Sequence, residues 1–311
     1  MRFVLCALTL ALTTSVAVAA PASDRASGGA PLRLLRTIPL PSIKGDFDHF
    51  GVDVQGNRLF LAAEEHHSVE LFELSTGNPL RSITGFETPH SMLLLLDQNQ
   101  IYVVDGGPDG GTSGAVRIMN ATTYKIEKSI DLKPDADALS YDAANHLLYI
   151  TNGGKEAHED FSLITIIDTQ KGEKAGELKV ESANLEAITL QKGGSLLYVN
   201  ARDKNQIAVV DRATQSVKSM LQLSQIQHNT PLFLDEPRHR LLVAGREPGR
   251  FGALDSDSGK EISVLPAGDD VDEMTYDADT QRIYLACGEG FVEVFHQTVR
   301  NCTLCGFLNN N

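Results

Sequence analysis

Asp48, His90, Asp137, Glu186 and Asp272 could each bind a cation or exchange a proton, and with Thr230 they recur through the 311 residues at steps of 42, 47, 49, 44 and 42. Carboxylates converging on one axis would suit a hard cation such as calcium, and an added imidazole, from His90 or His49, would suit a transition metal. A second series, Glu64, Gly106, Gly153, Arg202, Arg246 and Gly288, sets two arginines on neighbouring units, a pair that could clamp a carboxylate or phosphate. Each series has a plainer reading. Polar side chains are expected beside a solvent-filled channel, and Arg202 could pair with Glu186 or Asp203 as an ordinary ion pair. Only the placement of the strands that carry these residues decides between the two.

The same spacing organises the whole chain. The runs NRLFLAA, NQIYVVD, HLLYITN, SLLYVNA, HRLLVAG and QRIYLAC align on Phe60, Tyr102, Tyr149, Tyr198, Leu242 and Tyr284. Each is preceded by a strand-like run such as FGVDVQG and followed by one such as IAVVDRAT, while runs such as KIEKSIDL and KEISVLP close the units. Alternating, β-branched and aromatic stretches bounded by Gly, Asn and Asp read as strands and turns. Four short strands at a period of about 40 to 50 residues define an all-β fold, a β-propeller of four-stranded blades. A β-sandwich would not repeat six times in register. The propeller is expected over residues 32–296, with blades starting near 48, 90, 137, 186, 230 and 272.

The stretch LYVNARDKNQIAVVDRATQ resembles the YVTN repeat of bacterial exported β-propellers, the group that includes YncE-like proteins, and the other five units are weaker versions of it. This resemblance implies seven blades, of which six are recognisable. LRLLRTI, residues 32–38, reads as the fourth strand of the last blade, supplied from the N-terminus to close the ring. The sixth unit ends with its third strand at FVEVFH, and residues 297–311, QTVRNCTLCGFLNNN, read as an atypical tail. Either the N-terminal strand completes a six-bladed ring directly, or a seventh blade is missing or truncated; the abrupt change of composition favours the second. Cys302 and Cys305 in that tail form a C-x-x-C that lacks a second pair for zinc, and Gly306 stands where haem attachment would need histidine. The resemblance also raises single-stranded DNA binding, described for some YncE-like proteins.

Composition bounds the function. Residues 1–19 hold one basic residue, Arg2, an apolar run, and Ala17 and Ala19 in signal-peptidase spacing, so a signal peptide, a linker over 20–31 and a periplasmic or secreted protein are expected. No later run approaches the roughly 18 apolar residues of a membrane span. With 27 basic and 41 acidic residues the net charge is −14, and tryptophan is absent; both features disfavour nucleic acid. Neither a G-x-S-x-G elbow nor an H-E-x-x-H helix occurs.

In each blade the loop joining the second and third strands shares a face with the loop joining one blade to the next. Insertions gather there, as in EEHHS, GGPDGGTSGA and GGKEAHEDFS, which marks a binding face. Ligand-binding candidates on it are Asp48, His49, His90, Asp137, Glu186, Arg202, His228, Arg246, Asp272 and Glu273. The metal candidates are Asp48, His90, Asp137, Glu186 and Asp272, around a divalent cation in the central channel. The expected function is that of a monomeric, non-catalytic exported propeller that binds a small molecule, peptide or protein. The alternative is a metal-dependent propeller enzyme of the lactonase or hydrolase kind.

Overall fold

The computed structural model describes residues 31–298 and 301–309. Blade 1 comprises β1 (Phe50–Asp53), β2 (Arg58–Ala63), β3 (Ser68–Glu73) and β4 (Pro79–Thr84). Blade 2 follows with β5 (Pro89–Leu95), β6 (Gln100–Asp105), β7 (Gly114–Asn120) and β8 (Ile126–Leu132), and blade 3 with β9 (Leu139–Asp142), β10 (Leu147–Gly153), β11 (Ser162–Asp168) and β12 (Glu173–Val180). Blade 4 holds β13 (Leu185–Leu190), β14 (Leu196–Ala201), β15 (Gln206–Asp211) and β16 (Ser216–Gln222), and blade 5 holds β17 (Asn229–Asp235), β18 (Arg240–Arg246), β19 (Gly249–Asp255) and β20 (Glu261–Pro266). Blade 6 has β21 (Val271–Asp277), β22 (Arg282–Cys287), β23 (Phe291–Gln297) and β24 (Cys302–Asn309). Each blade is an antiparallel sheet paired in chain order, and the six make a six-bladed β-propeller.

Local chemistry sets the hairpins. Asp53, Asp142 and Asp277 close the turn after the inner strand by accepting backbone N–H bonds, from Gly56 at 2.8 Å, from Ala144 at 3.1 Å and from Asp279 at 3.0 Å. Such Asx-type turns explain why aspartate recurs there. They lie at the opposite end of the inner strands from the ring series.

Blades adhere through apolar clusters. Five clusters fill the junctions from blade 1/2 to blade 5/6, each joining one blade's aromatic column to the next blade's inner strands, as Phe60 and Ala62 do with Met92, Ile101 and Val103. Among the described residues no such cluster spans blades 6 and 1. Phe50 and Val52 on β1 are 59% and 51% exposed, whereas Met92, Ile188, Leu232 and Met274, which occupy the place of Phe50 in other blades, are buried. Across the same junction Tyr284 is half-buried, while Tyr102 and Tyr198 are wholly enclosed. The ring therefore has one loosely packed seam. His49 Nδ1 bridges it at 2.5 Å from Glu273. The segment 31–49 lies beside it, with Pro31 against Gly306 of β24 and Ile38 over Gly77, whose φ of +70° and missing Cβ leave room for the isoleucine.

Two expectations are corrected. Residues 32–38 form no strand, and Leu35 in their midst is 80% exposed. The fourth strand of blade 6 is instead β24, drawn from the supposed tail, which pairs with β23 from Gln297↔Cys302 to Phe291↔Asn309. Once β24 occupies the outer edge of β23, no ladder position remains there for the N-terminal run. Residues 302–309 thus complete blade 6 and are not the remnant of a missing blade. Both cysteines of the C-x-x-C are free thiols: Cys302 lies in the blade 5/6 cluster, where burial pushes its thiol up to about 11, and Cys305 sits at a register slip. The proposed signal peptide lies outside the described residues.

Candidate functional site

The ring series owes its direction to irregular starts of the inner strands. Pairing slips between Pro89 and Met92, Leu185 and Ile188, Asn229 and Leu232, and Val271 and Glu273, and these slips contain His90, Glu186, Thr230 and Asp272. A bulge of this kind re-aims a side chain that regular pleating would bury or send to the neighbouring blade. In blades 1 and 3 the backbone bonds Asp48 N–H to Ala62 O at 2.9 Å and Asp137 N–H to Thr151 O at 3.1 Å hold the equivalent residues. All six members of the series line one axial cavity of about 840 Å³. His49, Arg202, Arg246 and Glu273 line it too. His228 stands apart, in a neighbouring cavity of about 360 Å³ with Lys155 and Asp203.

The cavity wall divides electrically. On blades 4 to 6 Arg202 Nη1 lies 2.8 Å from Glu186, Arg246 bonds Asp272, and Arg246 Nε lies 3.3 Å from Asp270. The arginines are thus committed to carboxylates, in line with the ion-pair reading and not with an open anion clamp. Asp203, the other partner weighed for Arg202, accepts from Ser182 and from Ala183 N–H. Burial pushes the Glu186 carboxyl up even against Arg202.

On blades 1 to 3 the cavity is lined by no arginine or lysine, and imidazoles take their place. His90 Nδ1 lies 2.7 Å from Asp48 and 4.0 Å from Asp137, and His49 Nε2 lies 3.5 Å from Asp48. One donor atom from each of Asp48, Glu64 and His90 falls within 4.8 Å of the others, and Asp48, His49 and Asp137 form a second such group. Of the sequence-predicted metal candidates, Glu186 and Asp272 join neither group. Burial and the neighbouring Asp48 charge lift Asp137 to about 8. Burial alone would lower both imidazoles, but the bonds to Glu273 and Asp48 and the surrounding carboxylates raise His49 to about 10 and His90 to about 9. Burial raises Glu64; for Asp48 burial pulls upward, but the His90 bond and the charges of His49 and His90 together lower it.

These shifts fix a pH dependence. An imidazole whose folded pKa exceeds its unfolded value near 6.5 stabilises the fold fully below pH ~6.5 and loses that contribution as pH rises through the folded value. An acid raised like Asp137 has the same sign, its contribution declining between ~4 and 8. In chelator-containing buffer the melting temperature should fall steadily from pH 6.5 to 10, by about 2–4 °C per kcal/mol lost, and His90→Gln should flatten the decline. A wild-type melting temperature that stays level across this range would contradict the assignment.

Glu64 belongs to the second series, yet only the fold shows it turned towards His90. Asp270 also lines the cavity, two residues before its ring member in an irregular loop, and Asp46, which stands likewise before Asp48, lines it without joining either donor group.

Comparison with solved structures finds the same fold elsewhere. The chain superposes on a chain of the mitotic checkpoint complex with a TM-score of 0.72 at 14% identity, covering 99% of this chain and 90% of that one. It superposes on hydrazine synthase from Kuenenia stuttgartiensis with a TM-score of 0.69 at 14% identity, covering 84% and 80% respectively. At such identity the likeness is one of fold alone. No family model and no curated protein matches the chain. The protein is a β-propeller with a polar cavity on its axis. Among the described residues no helix is long and apolar enough to cross a membrane.

Proposed function

We propose that the protein is a non-catalytic binding propeller that takes a small polar ligand, or a charged portion of a peptide or protein, into the axial cavity from the face bearing the inserted loops. The observation that carries this reading is the convergence of all six ring residues on one cavity of about 840 Å³, a size within the range of ordinary ligand sites. Its wall offers fixed charges of both signs, which suits a ligand bearing both. The leader-like residues 1–19 and the resemblance to YVTN-type propellers support export, and the charge of −14 weighs against nucleic acid. A thermal-shift panel of amino acids, dicarboxylates and amines is expected to yield a ligand that raises the melting temperature, with the gain lost in Arg202→Ala and Asp272→Asn. Binding that survives both substitutions would place the site elsewhere.

A further inference from the structure

We infer that Asp48, Glu64 and His90, flanked by Asp137 and His49, hold a first-row divalent transition cation on the blade 1 to 3 side of the axial cavity. The inference rests on the reading of that cavity as the binding site and names one ligand class for it. Three observations lead there. The donor set is two carboxylates and an imidazole within 4.8 Å of one another, overlapping a second group through Asp48. Mixed nitrogen and oxygen donors suit zinc or manganese, whereas calcium takes oxygen alone.

The second observation is the contrast between the two sides of the cavity. Where blades 4 to 6 present carboxylates, Arg202 and Arg246 neutralise them; where blades 1 to 3 present Asp48, Glu64 and Asp137, no guanidinium or ammonium lines the wall. There the compensating charge comes from His49 and His90, whose protons a divalent cation would displace on binding.

The third is the seating of His90. A Cβ on Gly106 would stand 2.8 Å from His90 Nε2 and 2.9 Å from Thr88 Oγ1, so the position that is arginine in blades 4 and 5 is vacated for the imidazole in blade 2. The bond from His90 Nδ1 to Asp48 holds the ring beside the carboxylates of the donor group. His90 and Glu64 also line a smaller cavity of about 200 Å³ under the glycine-rich loop, which gives this wall a second solvent-facing side.

The test titrates the full chain, stripped with chelator, with zinc, manganese or calcium alone, read by calorimetry and by melting temperature. One zinc or manganese per chain is expected, with a melting temperature that climbs with metal concentration and little response to calcium. Glu64→Gln and His90→Gln should each weaken binding by at least about tenfold, the effect that even outer partners of a metal command. His239→Gln, at an exposed His–Asp pair on another part of the surface, should leave it unchanged. Absence of stoichiometric binding, or binding indifferent to both substitutions, overturns the inference. If either variant fails to fold, pulsed EPR of manganese on the wild-type chain decides: nitrogen coupling from an imidazole is expected, and its absence overturns the assignment. Failure here with an organic ligand still lost in Arg202→Ala defeats the metal alone. A bound metal, with no organic ligand that Arg202→Ala and Asp272→Asn abolish, defeats only the broader reading.

Discussion

A chain ending at residue 298 is expected to unfold with a free energy about 3–6 kcal/mol lower than the full protein and to associate in solution. The loss comes from β24, which among the described residues is the strand paired with the outer edge of β23. Its Cys302 and Leu304 pack into the cluster that joins blades 5 and 6, together with Phe251 and Phe295, whose rings lie 4.6 Å apart. Two apolar side chains withdrawn from that cluster account for the figure at about 1.5–3 kcal/mol each. The bared edge of β23 would then offer unpaired N–H and C=O groups to a second chain. A lowered urea midpoint together with light scattering from oligomers is the expected result. An unchanged midpoint would mean that residues 302–309 are not the fourth strand.

Tyr198→Ala is expected to cost about 3–5 kcal/mol, and the chemically identical Tyr284→Ala about 1 kcal/mol or less. Both tyrosines stand at the same place in the repeat, but Tyr198 is fully enclosed by Leu232, Leu234 and their neighbours in the blade 4/5 cluster, whereas Tyr284 faces the seam. The contrast holds on the other wall: Met92→Ala should cost about 2–5 kcal/mol and Phe50→Ala well under 1 kcal/mol. Chemical denaturation of the four variants measures the packing of the seam directly. Equal losses at Tyr198 and Tyr284 would show that blades 6 and 1 are packed like the rest.

Much of this architecture is legible in residues. Six aromatic or leucine positions, from Phe60 to Tyr284, announce the second strands because burial between blades demands bulk at that place. The axial series is legible for a related reason, since the bulge at each inner strand recurs with the repeat and carries its polar residue along. Even Glu64, Arg202 and Arg246 follow their ring partners by 16 residues in each case. The outermost strands are another matter. A fourth strand is held mainly by backbone bonds to the third, so CTLCGFLN needed no repeat signature to become β24, and LRLLRTI gained nothing from its β propensity once that edge was taken. Nor could the seam be foreseen. Phe50 and Val52 are as apolar as the buried residues in equivalent places, and their exposure follows from how closely blade 6 approaches blade 1. The pairing of Arg202 with Glu186 lies within one repeat and is among the partners its sequence offers, whereas the pairing of Arg246 with Asp272 and of His90 with Asp48 depends on distances between blades, which no single repeat encodes.

The central claim is that the axial cavity is where this protein binds. Amide NMR spectra of the isotope-labelled chain, recorded as manganese is added and then as ligands from the thermal-shift panel are added, test it most directly. Manganese should broaden the amides of residues around Asp48, Glu64, His90 and Asp137, and organic ligands should shift those around Glu186, Arg202, Arg246 and Asp272, with the outer strands β4, β8, β12 and β16 unmoved. Broadening and shifts that instead gather on the outer strands or at the turns after the inner strands, around Asp53 and Asp277, would contradict it.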